Sequence, residues 1–318
     1  MLHFVLIALF TLYTPTLFAE TFSAWKKKFA NDAVSSGLPK SYTLKVLKSV
    51  KFDPSVVKKD RNQVHSNKKL DYLKFMERWK GHNSARLKIA NEKLAKNLKL
   101  LQQVEDKYGV EKEIIVSLWG VETYFGRITG SYDVVRSLAT LAYEGRRRAF
   151  FEEQLKAALL MLYKGHTTRE NLKGSWAGAT GQCQFMPSNH HLAQDFDGDG
   201  RKDIWTNKAD IFASIANFLK NAGWKKGEKI GILALNTKNH KLQGKTFRTA
   251  NEYNKLGFTR LDGSKIQSAG WSKKQAASIP LQNSPVVLKG ANYKALMSWN
   301  ASVLFAAFNI IMINALSK

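Results

Sequence analysis

Apolar positions recur at spacings of three and four through most of this chain, the signature of helices that bury one face. From Ser84 to about Lys107, Leu87, Ala90, Leu94, Leu98 and Leu101 form one stripe, with lysines over the remaining surface, and Tyr108-Gly109 marks the stop. A second helix is predicted from Glu111 to Phe125, where Ile114, Ile115, Leu118, Val121 and Phe125 share a stripe. The segment GRITGSYDVVRS reads as a loop. Helices are then expected from about Arg147 to Tyr163, ended by Gly165, and from Asp210 to Asn221, ended by Gly223. Residues 20–80 carry turn signals at Gly37-Leu38-Pro39 and Asp53-Pro54, which leaves room for two or three short helices. Residues 224–290 differ: they are richer in Gly, Thr, Ser and Asn, and short runs such as KIGILAL and SPVVLKG point to a small β-containing section. ASVLFAAFNIIMINAL closes the chain as an apolar helix. It is shorter than the roughly twenty residues that span a bilayer, and Asn309 and Asn314 interrupt it, so burial in the helical core is expected. The fold class is therefore mainly α (α+β).

Composition adds a charge problem. The 318 residues are 44% hydrophobic and 24% charged, as in an ordinary globular protein, but 50 Lys+Arg face 25 Asp+Glu, a net charge of +25. Such a chain is drawn to polyanions: nucleic acid, anionic membrane or an acidic polymer. The opening MLHFVLIALFTLYTPTLFAE narrows the choice. It is an apolar run that ends in Leu17-Phe18-Ala19 and resembles a secretory signal over residues 1–19, with an uncleaved anchor as the alternative. Export argues against nucleic acid as the partner. A lone Cys183 excludes an intrachain disulfide. With no Cys after the apolar run, a lipid-modified N-terminal cysteine is not expected.

Four constellations could carry chemistry. Glu122 lies on the apolar stripe of its helix, where Trp119, Val121 and Phe125 would raise its pKa and keep a carboxylic acid protonated near neutrality. Gly120 and Gly126 beside it would leave room for a ligand. Alternatively, Glu122 sits at the edge of the stripe and reaches an arginine. In SWAGATGQCQFMPS, Ser175, Gln182 and Gln184 offer neutral hydrogen-bonding groups among small residues, which suits a polyol or an amide-bearing sugar; the bland alternative is a structural turn. Arg146, Arg147 and Arg148 stand at a predicted helix start, against the helix dipole, as either a solvated cluster or a clamp for carboxylates. Asp195, Asp197, Asp199, Gly200 and Asp203, with the backbone carbonyl of Arg201, match positions 1, 3, 5, 6, 9 and 7 of an EF-hand calcium loop. Position 12 is Thr206 rather than Glu, which predicts a weak calcium site. No P-loop, no G-x-G-x-x-G, no zinc-spaced Cys/His set and no G-x-S-x-G elbow occurs in the sequence.

Taken together, GVEKEIIVSLWGVETYFGRITGSYDVVRSLATLAYEGRRRAFFEEQL and GSWAGATGQCQFMPSN…DFDGDGRKDIW resemble the membrane-bound lytic murein transglycosylase B family, from about Ser84 to Trp224 and again near Tyr293–Phe308. The resemblance implies a lysozyme-like helical catalytic domain over residues 20–223, completed by 291–318, with a small β insert at 224–290. It implies cleavage of peptidoglycan glycan strands between N-acetylmuramic acid and N-acetylglucosamine, leaving a 1,6-anhydro end, with no cofactor required beyond a possible calcium ion. The family's G-[VIM]-E-T-x-[FW]-G motif places the catalytic role on Glu122, with Tyr124 a neighbouring binding candidate. Its substrate-binding positions fall on Ser175, Gln184, Arg147, Arg148 and Asn300. Its usual tyrosine five residues further on is Phe305 here, which lacks the hydroxyl.

The implied protein is a periplasmic monomer that binds peptidoglycan, with no nucleic-acid partner and no membrane span after signal cleavage. A single carboxylate suits it. Most glycosidases use two, whereas one glutamate can serve as acid and then base when the sugar's own 6-hydroxyl is the nucleophile. The competing reading is a catalytically weak peptidoglycan-binding or scaffold protein of the same fold.

Overall fold

The computed structural model describes residues 20–65, 85–238, 247–267, 275–276 and 286–317. The expected signal at 1–19 lies outside them. The chain divides into two compact units, one ending at Ser49 and the other beginning at Val50.

The first unit holds α1 (Phe22–Asp32) and α2 (Lys40–Lys48). Thr21 caps α1 by accepting from the Ala24 N–H at 3.1 Å. Gly37, at φ 80°, turns the chain toward α2. Trp25, Phe29, Leu38 and Leu47 are buried.

The second unit opens with α3 (Pro54–His65), then α4 (85–96) and α5 (Leu98–Tyr108). One long helix was expected over α4 and α5. Asn97 breaks it: its amide donates to the Lys93 carbonyl at 2.7 Å and competes with the backbone ladder. The break rotates Leu98 out of the stripe to 48% exposure, while Ala90 and Leu101 stay buried. Gly109, in the left-handed region, ends α5 as expected.

Helix α6 (Lys112–Thr123) is buried nearly all round: Ile114, Ile115, Val116, Ser117, Leu118, Trp119 and Gly120 are all inside. It is a core helix rather than an amphipathic one, packed by α5, α9 (Lys208–Asn221) and α12 (Val303–Leu316). Burial on that scale forces its polar groups to pair. The Ser117 hydroxyl donates to Asn309 Oδ1 at 2.7 Å, and the Asn309 amide donates to the Phe305 carbonyl at 2.9 Å. The asparagine that interrupts the apolar C-terminal run is therefore an internal tie between α12 and α6. Among the described residues, no single helix is long and apolar enough to cross a membrane.

Helix α7 (Val134–Glu144) begins inside the expected loop GRITGSYDVVRS and runs on beyond it. Asp133 caps it by accepting from the Arg136 N–H at 3.0 Å, and Val134, Val135, Leu138 and Leu141 bury its apolar face. The Asp before an apolar repeat was the missed start signal. Helix α8 (Arg148–Tyr163) packs on α7. A short antiparallel pair, β1 (Tyr132–Asp133) with β2 (Lys173–Gly174), joins the two flanks of this region.

The strands β3 (Gly231–Asn236), β4 (Phe247–Arg248), β5 (Phe258–Arg260), β6 (Gln275–Ala276) and β7 (Val286–Lys289) fall within the section expected to be β-containing. One antiparallel sheet has the order β5-β3-β7, with Leu233 opposite Val287. Side chains alternate along it. Ile232, Ala234, Val286 and Leu288 pack with Tyr253 of α10 (Ala250–Lys255) and with Phe258 in a small core. Leu233 and Val287 join the large helical core. Helix α11 (Tyr293–Trp299) then returns to the helical body, and a bend of 117° separates it from α12.

The Ser117–Asn309 pair gives a test. Ser117→Ala should destabilise the protein by about 1–3 kcal/mol, because it leaves a buried amide oxygen without its donor. Urea unfolding of that variant, and of Ser117→Ala combined with Asn309→Leu, should show the second change recovering part of the loss.

Candidate active site

Helix α6 ends abruptly. Tyr124 and Phe125 both adopt left-handed backbone, at φ 51° and 61°, a conformation that costs a non-glycine residue of order 1–3 kcal/mol. Several bonds hold it. The Tyr124 and Phe125 N–H groups donate to the Gly120 and Trp119 carbonyls at 3.1 and 3.2 Å, and Gly126 N–H donates to the Thr123 hydroxyl at 3.0 Å. The turn folds the Phe125 ring back onto α6. There it meets Trp119 edge-on at 5.4 Å and lies over Gly120, where a Cβ would come within 2.6 Å of it. A Cβ on Gly126 would come within 2.2 Å of Gln182 Oε1. The two glycines expected to admit a ligand instead admit the protein's own side chains.

This packing fixes Glu122 in the last turn of α6. Its carboxyl is largely buried, and burial pushes its pKa from the ordinary 4.5 up to about 7. One hydrogen bond works in the opposite direction: the Trp299 indole N–H donates to Glu122 Oε1 at 2.8 Å. No arginine bridge to Glu122 occurs among the described residues. Trp299 was missed from the sequence; it stands directly before Asn300 in WNAS. Its ring packs on Phe218 at 4.7 Å and on Phe185 at 5.5 Å.

The small-residue loop is built tightly. A Cβ on Gly174 would come within 2.0 Å of the Ala179 carbonyl oxygen. Ser175 Oγ accepts from the Ala179 N–H at 3.0 Å. Gln184, at φ 48°, donates to the carbonyls of Thr129 and Gly181, both at 3.0 Å. Gln182 is a brace: it accepts from the Trp119 indole at 2.7 Å and donates to the Trp205 carbonyl at 2.7 Å. Cys183, between the two glutamines, is fully buried, and burial together with the Glu122 charge pushes its thiol pKa well up.

The guanidinium groups of Arg86 and Arg127 both lie over the Tyr124 ring, at 5.1 and 5.4 Å from its centre. Asn300 is exposed in the bend after α11. Arg147 and Arg148 belong to the α7–α8 junction. Arg147 stacks over Phe150 and Phe151 at 4.9 and 4.6 Å, and Arg148 donates to the Tyr143 carbonyl at 3.2 Å. Arg146 takes no part in a clamp of three, since its Nε pairs with the buried Asp60 at 2.7 Å.

The acidic loop departs from the sequence template. The carboxylates that converge within 4.8 Å are Asp195, Asp197 and Asp210. Asp199 instead accepts from the Arg201 N–H at 2.8 Å, and Asp203 accepts from the N–H groups of Trp205 and Thr206 at 2.8 and 2.9 Å. The Thr206 hydroxyl also donates to Asp203. Asp210 falls beyond the twelve-residue template, in the first turn of α9, so a motif scan does not reach it. Burial first, then the charges of Asp197 and Asp195, push its pKa up, while N–H groups of Phe196 and Asp203 pull it down. Three hard oxygen donors gathered against their own repulsion fit a divalent cation such as calcium.

A helical body with Glu122 at a strained helix end has the lysozyme-like fold of the lytic transglycosylases. The chain belongs to the transglycosylase SLT domain family, whose model matches residues 21–312. It is 44% identical over 129 residues to membrane-bound lytic murein transglycosylase B of Escherichia coli, an alignment covering 40% of this chain and 36%, about a third, of that protein's length. In structure it is similar to SltB3 from Pseudomonas aeruginosa in complex with NAG-NAM-pentapeptide, with a TM-score of 0.83, 30% identity, and coverage of 94% of this chain and 80% of that one. It is also similar to the Escherichia coli lytic transglycosylase Slt35 in complex with calcium, with a TM-score of 0.76, 26% identity and 92% of each chain covered.

The raised pKa of Glu122 has a stability consequence. In its proton-bound form the folded state gains stability that is complete below about pH 4.5 and lost as pH rises through about 7. Glu122→Gln removes the buried charge. The variant should therefore be more stable than the parent at pH 8, by on the order of 1–3 kcal/mol, and the advantage should vanish near pH 4. Thermal unfolding of both proteins across that range measures it.

Proposed function

We propose that this chain is a peptidoglycan lytic transglycosylase that cuts the β-1,4 bond between N-acetylmuramic acid and N-acetylglucosamine, with Glu122 as acid and then base. The observation that carries the reading is the Glu122 carboxyl, held at the end of α6 with a pKa pushed by burial to about 7, and with no carboxylate charge among the causes of that shift. Two-carboxylate glycosidases need the second group as nucleophile or base; an intramolecular nucleophile does not. Glu122 gives its proton to the glycosidic oxygen as the C1–O bond breaks. The N-acetyl carbonyl of the muramic residue stabilises the anomeric carbon. The Glu122 carboxylate then takes the proton of the 6-hydroxyl as O6 bonds to C1, which closes the 1,6-anhydro ring and restores the acid.

Ser175, Gln184, Asn300 and Tyr124 are assigned to the sugar chain, as neutral polar and aromatic groups suited to acetamido sugars, and Arg147 and Arg148 to the carboxylates of the stem peptide. The net charge of +25 would hold the enzyme on an anionic mesh. The proposed location is the periplasm, where that mesh lies. Asp195, Asp197 and Asp210 would hold a calcium ion that neutralises their repulsion and pins the loop after Gln194.

Glu122→Gln should lose activity by at least about a thousandfold while keeping the fold. Mass spectrometry of digested sacculi is the decisive measurement: the parent should release anhydro-muropeptides. Hydrated reducing ends would make it a hydrolase, and sacculus binding without release would make it a scaffold. For the loop, millimolar calcium should raise the thermal midpoint of the parent by a few degrees. Asp210→Asn should abolish the calcium response, and a chelator should reverse it in the parent.

A further inference from the structure

We propose that Trp299 is a positioning residue of this site: its indole N–H holds Oε1 of Glu122 as the acceptor oxygen, so the transferable proton resides on Oε2. The inference rests on the reading of Glu122 as the acid.

An indole N–H can donate a hydrogen bond and cannot accept one. The Trp299 donor lies 2.8 Å from Oε1. The carbonyl oxygen of a carboxylic acid is a much better acceptor than its hydroxyl oxygen, so the bond to Oε1 favours the acid form that carries its hydrogen on Oε2. Geometry keeps the donor in place. Trp299 is the last residue of α11, where the chain turns through 117° into α12. Phe218 of α9 packs against its ring at 4.7 Å and an interplanar angle of 66°. Phe185 of the small-residue loop packs at 5.5 Å. The indole is therefore held by two elements other than its own, and the N–H direction comes with the stack.

The same bond serves both halves of the cycle. In the acid form it is a neutral hydrogen bond to a carbonyl oxygen. When Oε2 gives up its proton, the acceptor becomes a carboxylate and the bond becomes charge-assisted, which roughly doubles its strength. The site gains stabilisation at the moment when a buried negative charge appears. Trp299 thus opposes the effect of burial, which alone would push the acid further up.

The other ionisable groups around α6 leave this role to Trp299. The Cys183 thiol is kept neutral by burial. Lys93 of α4 sits over the Trp119 ring at 5.9 Å. Arg86 of α4 and Arg127 of the following loop lie over the ring of Tyr124.

The test removes the N–H and keeps the ring. Trp299 is replaced site-specifically by benzothienylalanine, in which sulfur stands where the N–H was, and separately by phenylalanine. Rates on purified glycan strands are measured from pH 4 to 9 beside the parent and Glu122→Gln. Because the acid must be protonated, kcat/KM falls as pH rises through its pKa. Losing the donor should move that limb upward by about half to one pH unit. It should lower kcat about tenfold with KM changed less than about twofold. A benzothienylalanine protein with the parent's circular dichroism, rate and pH limb overturns the inference. If the phenylalanine variant does not fold, the benzothienylalanine protein decides alone. An inactive Glu122→Gln beside unmoved Trp299 variants sinks this inference and leaves the proposed function standing; a fully active Glu122→Gln sinks the proposed function itself.

Discussion

The structure depends on keeping one carboxyl largely out of water at the end of a core helix. Helix α6 is buried along most of its length, and burial makes the charged form of a carboxyl at its last turn costly. The hydrogen bonds of the surrounding side chains answer that constraint with neutral groups. Trp299 supplies a donor to Glu122. Trp119, one turn earlier, donates to Gln182, which donates to the Trp205 carbonyl, while the Trp205 indole donates to Thr180 at 3.1 Å. This chain of neutral hydrogen bonds joins α6 to the small-residue loop and to the acidic loop. Each member is satisfied, so the network orders the site without adding charge to it.

Close approach of backbones makes that network possible. Gly120 lets the Phe125 ring lie on α6, Gly126 lets the Gln182 amide come near, and Gly174 lets the loop cross the Ala179 carbonyl. The left-handed pair Tyr124-Phe125 ends the helix immediately after Glu122 and Thr123. A helix continuing past Thr123 would carry the Phe125 ring away from Gly120 and Trp119 and leave Glu122 mid-helix. The strained turn is thus part of how the acid comes to stand at an open end of a closed core.

Local pattern foretold more of the fold than of the site. Periodicity found α6, α8 and α9, and the short β-branched runs found β3 and β7. It failed at Asn97, where one side chain competes with the ladder, and at α7, where Asp133 begins a helix inside what looked like a polar loop. Glu122 was legible because a carboxylate on an apolar stripe is costly. The placement of its partner was not, because Trp299 is joined to it only by the return of the chain after the β section. Asp210 escaped for a similar reason: it lies outside a fixed-length template and reaches the loop through α9. Contacts made by tertiary return leave no spacing to read.

Charge bookkeeping explains why the site is neutral in so basic a protein. Two unit charges 6 Å apart interact by about 3 kcal/mol at an effective dielectric of 20. That is close to the free energy that separates a carboxyl of pKa about 7 from one at 4.5. A single lysine or arginine at that distance would therefore undo most of what burial does and leave Glu122 ionised at neutral pH, unable to donate. The chain carries 50 such residues. At the start of α6, Lys112 pairs with Glu105 and Glu113; toward its end, Arg86 and Arg127 lie over Tyr124, and Lys93 over Trp119. A ring face holds a cation at modest gain, and no cation is among the causes that set the Glu122 pKa. The aromatic residues of this end of α6 thereby combine two roles: they help to bury the acid, and Tyr124 and Trp119 also give neighbouring cations a partner that carries no charge.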